Sequence, residues 1–410
     1  MNQQSIERND GVKPAPAVRP RLAIVVSHPI QHFCPMYRSI AADGRVELRV
    51  VFAIRGAEPN FDSGFGRVIH WQEDLLKGFD HRVVTAAPKQ RETAVVQELD
   101  SFSPDVVYVH GYASPYARAA MRWAKRRGVP VLMATDSELL RARPLYVRAL
   151  KRLVLPWILR NVDMFLTVGD ENERYFKHYG VSDDRFHRVP FSIDSFYYDQ
   201  VLADRAASRN AIRQQLGIPS DAVVILTVGK LTPTKCQADL VRAFGETLKS
   251  VQRPAFLLVA GDGVERERVE ELAKPFGSAV KLLGFIGVDQ LPKYYVAADI
   301  YAHPSSLDAH PLAISEALYC SLPVVVSDQV GSIGPEDDVQ VGKNGWVYGS
   351  GDVAALSAIL VKLIDDPGLR ESAGKASREL GEVHAADRCG SLFIDGAFRA
   401  LQRRQRARAR

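Results

Sequence analysis

Cysteine is scarce in this 410-residue chain: Cys34, Cys236, Cys320 and Cys389 stand far apart, and no Cys-x-x-Cys pair occurs. A disulfide framework and a structural zinc are therefore not expected, and a reducing compartment is. No apolar run reaches the length of a membrane span, so none is expected. Residues 1–20 are polar and Pro-containing without an apolar h-region; a disordered segment is expected there and no signal peptide. A complete Gly-x-Gly-x-x-Gly is also missing. Gly261-Asp262-Gly263 is half of one, which disfavours a NAD-dependent dehydrogenase. Excess charge is lacking as well: the net +5 resides in Arg403, Arg404, Arg406, Arg408 and Arg410, and the remaining body is formally neutral. Nucleic acid is thus not an expected partner. The five arginines read as a solvated, disordered tail, with an anionic membrane surface as the alternative.

What the chain does have is alternation. Its 46% hydrophobic and 25% charged residues are those of a globular protein long enough for two domains. Short apolar runs alternate with longer amphipathic stretches, the pattern of parallel strands joined by crossover helices. In the first half, strands are expected at 22–27, 47–52, 106–110, 131–134 and 164–168, and helices at 33–42, 115–127 and 146–160. In the second half, strands are expected at 223–228, 255–260, 280–283, 300–303, 324–327 and 345–347. Helices there are expected at 236–250, 265–275, 289–297 and 311–320. The expected fold class is α/β: two doubly wound Rossmann-like domains, residues 21–200 and 201–384, facing a cleft. Such sheets bind ligands at the carboxyl ends of their strands.

The most informative stretch runs from Tyr301 to Leu318. A polar loop ends there at Pro311, read as a first helical position. The amides of Leu312 and Ala313 would then meet an anion, which the helix dipole favours. Glu316 lies about one and a half turns inside the helix and can face the same ligand as Asp308 and His310. A helix end that holds phosphate, beside acids that accept hydroxyl hydrogen bonds, suits a nucleotide sugar. Upstream, Gly229 ends a strand, and Lys230 and Lys235 flank the turn after it, placed to neutralise a departing diphosphate.

In the first half, His28 and His32 follow the first strand, His110 ends the third, and Asp136 follows the fourth. All face one cleft edge and are the acceptor-side candidates for an acid, base or hydroxyl-orienting group. A metal is not expected, because no third ligand shares a recognisable spacing. Asp170 and Glu173 read as caps at a helix start. Along 141–160, Leu150, Leu153, Val154, Trp157 and Ile158 share one face, and Arg148, Lys151 and Arg152 another. Core packing is expected for that stripe, with an anionic membrane as the alternative.

These features resemble the donor site of glycosyltransferase family 4. The family's Glu-x7-Glu spacing, followed by Ala and a Pro-Val-Val strand, is matched by Asp308, Glu316, Ala317 and residues 322–326, with Asp in place of the first Glu. Its Gly-Arg-Leu-x-x-x-Lys-Gly is matched from Gly229 to Lys235, with Lys230 for Arg and Cys236 for Gly. Pro29 stands where paired glycines are usual in the first loop. The resemblance implies the two-domain GT-B architecture, with a helix at 385–402 crossing back to the first domain before the basic tail at 403–410. It implies a nucleoside diphosphate sugar as co-substrate, with no further cofactor and no metal. Lys230 and Lys235 would hold the diphosphate, Glu316 the ribose hydroxyls, and Asp308 and His310 the transferred sugar, with Gly261 close to the donor and Phe285 near the base. It further implies retaining transfer to a glycan or lipid-linked acceptor in cell-surface polysaccharide or glycolipid synthesis. The enzyme would be cytoplasmic and peripheral on the inner face of the membrane. A sugar-nucleotide epimerase and a non-catalytic nucleotide-sugar-binding protein are the alternatives.

Overall fold

The computed structural model describes residues 19–54, 60–62, 67–69, 75–141 and 143–409, with backbone alone at 60–62 and 67–69. Residues 1–18 of the expected disordered segment and Arg410 of the tail lie outside the described residues. In chain order the strands are β1 (Arg21–Val26), β2 (Glu47–Phe52), β3 (Asn60–Asp62), β4 (Arg67–Ile69), β5 (His81–Val83), β6 (Val106–His110), β7 (Val131–Ala134), β8 (Met164–Thr167) and β9 (Phe186–Arg188). The second half supplies β10 (Val223–Val228), β11 (Ala255–Ala260), β12 (Val280–Gly284), β13 (Ile300–His303), β14 (Val324–Ser327) and β15 (Gly345–Tyr348). The first-half helices are α1 (Cys34–Asp43), α2 (Arg91–Phe102), α3 (Pro115–Arg127), α4 (Leu145–Leu159), α5 (Asp170–His178), α6 (Ser195–Ala203) and α7 (Arg205–Gln215). They are followed by α8 (Gln237–Leu248), α9 (Arg266–Ala273), α10 (Leu291–Ala297), α11 (Leu312–Tyr319), α12 (Val353–Asp365), α13 (Pro367–Gly381) and α14 (Ala386–Ala409).

Two parallel sheets result, in the orders β5-β2-β1-β6-β7-β8-β9 and β12-β11-β10-β13-β14-β15, and β3 and β4 form a small antiparallel pair. β1 reads Arg-Leu-Ala-Ile-Val-Val and is buried from Leu22 onward, as a strand covered on both faces must be. Its alternate residues serve opposite layers. Ala23 and Val25 pack with Leu99, Trp123 and Phe176, whereas Leu22, Ile24 and Val26 pack with Tyr37 and Ile40 of α1 and with Phe393 and Ile394 of α14. The last helix therefore covers the first sheet. Its approach is close enough that a Cβ on Gly396 would lie 2.6 Å from Leu166 Cδ2 and 2.9 Å from His187 Cδ2. In each sheet the strand order reverses at one point, between β1 and β6 and between β10 and β13. The crevice of an open sheet forms there.

β2, β6, β7, β10, β11, β13 and β14 begin and end where the apolar runs do. β5 and β9, three-residue strands at the sheet edges, are too short to show a period. α12 reads as a nearly continuous apolar run, which periodicity alone does not resolve. Two expectations are corrected. The tail is not disordered: α14 continues to Ala409, Arg403 pairs with Asp184, and Arg408 donates to the Gly128 carbonyl at 2.7 Å. Gly128 caps the end of α3, and cations are drawn to the carbonyls of a helix end. Secondly, the α4 stripe is core only in part: Ile158 is half-buried against the first domain's core, and the rest of the stripe is not. Leu155 and Leu159 face the sheet, while Leu150, Leu153 and Trp157 are 60%, 79% and 57% exposed. The helix carries apolar residues on more than one face, and the sheet takes only one of them.

Gly396→Val should lower the unfolding free energy by roughly 2–3 kcal/mol in a urea titration. Gly368→Ala, where the nearest atom to a new Cβ is Asp366 Oδ1 at 3.5 Å, should change it little.

Candidate active site

The site begins at the carboxyl ends of β10 and β13. Gly229 and Gly261 take φ of 154° and 148°, and a Cβ on Gly261 would fall 1.8 Å from the Gly229 carbonyl oxygen. Only glycine lets the ends of β10 and β11 run this close. Lys230 follows, and its carbonyl accepts from Gln237 Nε2 at 3.1 Å. A 3-10 turn, Pro233–Lys235, then delivers Lys235. Cys236, where the resembled family has Gly, adopts φ 53°; the left-handed turn that glycine makes freely is kept with a side chain present.

The Lys235 ammonium pairs with Asp308 Oδ2. The same oxygen accepts from His303 Nε2 at 2.8 Å, while His303 Nδ1 lies 3.1 Å from the Tyr301 hydroxyl. These partners place the imidazole proton on Nε2. Burial pushes the Asp308 carboxyl up, but the His303 hydrogen bond and the Lys235 charge outweigh it and hold it at about 2. Asp308 is therefore a fixed anion that aims Lys235.

Pro311 is the N-cap, not the first helical residue: its ψ of 118° is extended, and α11 starts at Leu312. Leu312 and Ala313 still head the helix, and Ile314 N–H returns to the Pro311 carbonyl at 3.0 Å. Glu316 accepts from the Tyr295 hydroxyl at 2.8 Å and from Tyr198. Burial pushes it up to about 7 against those two hydrogen bonds. Phe285 follows β12 and is half-buried.

His310 does not join Asp308. Its Nδ1 lies 3.2 Å from Ser332 Oγ and its Nε2 3.5 Å from Asp338 Oδ2. Asp338 also accepts from Ser315 at 3.0 Å and from His384 Nε2 at 2.8 Å. His384 Nδ1 meets the Phe191 carbonyl at 2.8 Å. Both partners of His384 can only accept, so its ring carries two protons and a positive charge. Burial lowers the His384 and His310 values, but Asp338 outweighs it and leaves both raised. Burial likewise raises Asp338, and the two histidines hold it well below the usual carboxylate range.

Next to it, Asp337 accepts from the Asp170 amide at 2.6 Å, and Arg188 clamps Asp170 at 2.7 Å and Glu173 at 2.8 Å. Asp170 and Glu173, read as caps, make no side-chain cap bond at the start of α5. Asp170 instead joins the domains, accepting from the Glu336 amide at 3.1 Å, and Glu173 accepts from Thr167 at 2.9 Å within the first domain. His310, Asp337 and Asp338 offer three buried ligand atoms within 4.8 Å of one another. Their oxygens are already engaged by His384, Ser315 and the amides of Asp170 and Asp338, which makes the group an ion-pair network first.

Of the acceptor-side candidates, His28 and Asp136 are exposed, and His32 and His110 are half-buried. Burial pushes His32 down to about 4, and burial also lowers His110, with Asp136 opposing. His110 is 5.6 Å from the Phe33 ring, Phe33 5.8 Å from Phe191, and Phe191 5.5 Å from His310. These rings join the strand ends of the two domains across the groove. Tyr198, Tyr295, His303, Asp338, His384 and Phe191 are not among the residues that the sequence singles out. His303 could have been, as a histidine closing a strand beside Asp308; the others are placed by long-range folding alone.

Two family models match: "Glycosyl transferase 4-like domain" over residues 30–192 and "Glycosyl transferases group 1" over residues 208–380. Together they take in most of the chain, which belongs to the group 1 glycosyltransferases and has their GT-B architecture. One curated relative is a GDP-mannose-dependent monoacylated alpha-(1-6)-phosphatidylinositol monomannoside mannosyltransferase of Corynebacterium glutamicum. It is 29% identical over 53% of this chain and 57% of its own length. An alpha-monoglucosyldiacylglycerol synthase of Acholeplasma laidlawii is 28% identical over 52% of this chain and 53% of its own. The chain thus spans about half the length of these curated relatives. Among solved structures, Anabaena HepE in complex with UDP superposes with a TM-score of 0.70 at 18% identity, covering 92% of this chain and 98% of that one. Sucrose-phosphate synthase of Thermosynechococcus elongatus gives 0.66 at 20%, covering 94% and 99%. That likeness is one of fold.

Asp338→Asn should cost about 3–5 kcal/mol of stability by leaving buried imidazolium unpaired. Because the folded values of His310 and His384 are raised, their pairing stabilises fully below 6.5 and is lost as pH rises through the folded values. The gap between wild type and variant, measured by urea unfolding, should be widest at acid pH and narrow toward alkaline pH.

Proposed function

We propose that the chain is a retaining, metal-independent glycosyltransferase that moves a sugar from a nucleoside diphosphate sugar to a glycan or lipid-linked acceptor. We place it in the cytoplasm, at the inner face of a membrane, in cell-surface polysaccharide or glycolipid synthesis. The observation that carries the reading is Lys235, aimed by Asp308 at the carboxyl ends of β10 and β13 with the amide end of α11 close behind. A cation and a helix N-terminus at a sheet's switch point are suited to a diphosphate. The mannosyltransferase and the glucolipid synthase similar in sequence are named for glycolipid chemistry, and HepE was solved with UDP; both support a nucleotide sugar and a lipid-linked acceptor.

In this reading Lys230 and Lys235 stabilise the charge that develops on the departing diphosphate. The bond from the sugar's anomeric carbon to the diphosphate oxygen breaks, and a bond to the acceptor oxygen forms on the same face. The acceptor's proton passes to the departing phosphate, so no protein nucleophile is called for. Glu316 accepts from the ribose hydroxyls, and Asp308 orients the sugar, with His310 held apart from it by Ser332 and Asp338. His110 and the Phe33–Phe191 rings border the groove on the acceptor side. Closure of the two domains keeps water from the donor.

Lys235→Ala should lower turnover roughly 100-fold in an assay of nucleoside diphosphate release with GDP-mannose or UDP-glucose and an extracted lipid acceptor. Acceptor-independent release of epimerised donor, or nucleotide binding without turnover, would replace this reading with one of the alternatives. Glu316 offers a second check. Its carboxyl stands at about 7, and ribose hydroxyls hydrogen-bond its ionised form, so donor affinity should rise as pH climbs from about 6 to 8. Glu316→Gln should flatten that rise; an unchanged slope would take Glu316 out of the donor site.

A further inference from the structure

Tyr146, Leu150, Leu153 and Trp157 recur along α4 at helical spacing and form one face. They are 75%, 60%, 79% and 57% exposed. Beside this row opens a cavity of about 450 Å³ lined by Arg152, Pro156, Arg160, His178, Gly180 and Arg185. Arg160 lies over the Trp157 ring at 5.5 Å, so the cavity mouth and the apolar row share an edge. Neither Arg152 nor Arg160 is paired with a carboxylate among the described residues. Arg185 donates to the carbonyls of Leu159 and Val162, the first at 2.6 Å.

The nearby acids are already engaged: Asp163 by the Val131 amide and Arg404, Asp183 by Lys177, and Asp184 by Ser182 and Arg403. A second cavity, which includes Asp184, is lined by Arg399, Arg403 and Arg406, so cations outnumber acids along this edge. The edge is the amino-terminal one of the first sheet. Arg160 precedes β8, His178 ends α5 and Arg185 precedes β9. The groove between the domains lies at the opposite, carboxyl ends of the strands, so this cavity is separate from the donor and acceptor site.

A row of exposed Leu, Tyr and Trp bordered by arginines complements a bilayer with anionic headgroups. The apolar side chains enter the acyl boundary, and the guanidinium groups stay at phosphate level. We propose that α4 seats the first domain on an anionic bilayer and that the cavity holds one phospholipid phosphate between Arg152, Arg160 and Arg185. The proposal shares with the functional reading only the placement of the enzyme at a membrane.

Co-sedimentation with phosphatidylcholine vesicles carrying about 25% phosphatidylglycerol tests it. Wild type should bind these vesicles and not pure phosphatidylcholine, and Trp157 emission should shift to the blue, a signal missing in Trp157→Phe. Arg152→Glu/Arg160→Glu should weaken binding at least about ten-fold, whereas Lys343→Glu/Lys362→Glu, an equal charge change on the second domain, should leave it within about two-fold. Leu153→Ser/Trp157→Ser should abolish binding at unchanged melting temperature, because both side chains are exposed. Inorganic phosphate at millimolar level should not displace the protein; displacement would point to a free-phosphate site and overturn the proposal. Equal losses from the two charge variants, or wild type that stays in the supernatant, would also overturn it, the latter leaving a protein partner as the occupant of the row. Nucleotide binding measured on the same variants separates the two readings. It should be unchanged, and its absence from wild type would sink the functional reading while leaving the membrane surface standing.

Discussion

One buried carboxylate holds the working parts in register. Asp338 binds His384, Ser315 and His310 from three separate segments. Ser315 lies on the helix that carries Glu316, His310 in the loop that carries Asp308, and His384 just before the helix that returns to the first domain. His384 in turn grips the Phe191 carbonyl in the connection between domains. A buried ion pair of this kind contributes little net stability against an apolar replacement. What it contributes is geometry, because Asp338 and His384 cannot part without leaving a charge unpaired in the interior.

A second anion, Asp308, works locally in the same manner. His303 and Lys235 share one of its oxygens, and the neutral imidazole is fixed in turn by Tyr301. Lys235 alone would be a flexible side chain with a well-hydrated charge. Tied to Asp308, it is directed into the crevice at the reversal of strand order, where an incoming diphosphate would compete for it. Glu316 is the converse case: among the described residues it is paired with no cation and accepts from tyrosine hydroxyls alone, which leaves it close to its ionisation point.

The two ends of the first sheet have separate chemistries. Its carboxyl edge presents histidines and aromatic rings to the groove, and its amino edge collects the arginines of α4, α14 and the segment before β9. Because crossover helices run antiparallel to the strands, the end of α4 meets the amino edge of β8 and β9 whenever this topology forms. The basic C-terminal residues join that edge because α14 runs over β6, β7 and β8 to reach the end of α3.

Apolar period and turn residues were enough to set out two parallel sheets, since strands buried on both faces must be continuously apolar. Lys235, Asp308, Glu316 and the head of α11 were legible for the same reason: each follows directly on a strand or opens a helix, within a few residues of a clear signal. The direction in which α4 points was not legible, because Leu155 and Leu150 are equally apolar and only packing against the first domain's core chooses between them. Nor was the pairing of Asp338 with His384 and of His384 with Phe191, across 46 and 193 residues. Local sequence decides where a strand ends and what stands there. Which buried charges meet, and which apolar face is left in water, is decided by packing between distant segments, whose energies no local pattern contains.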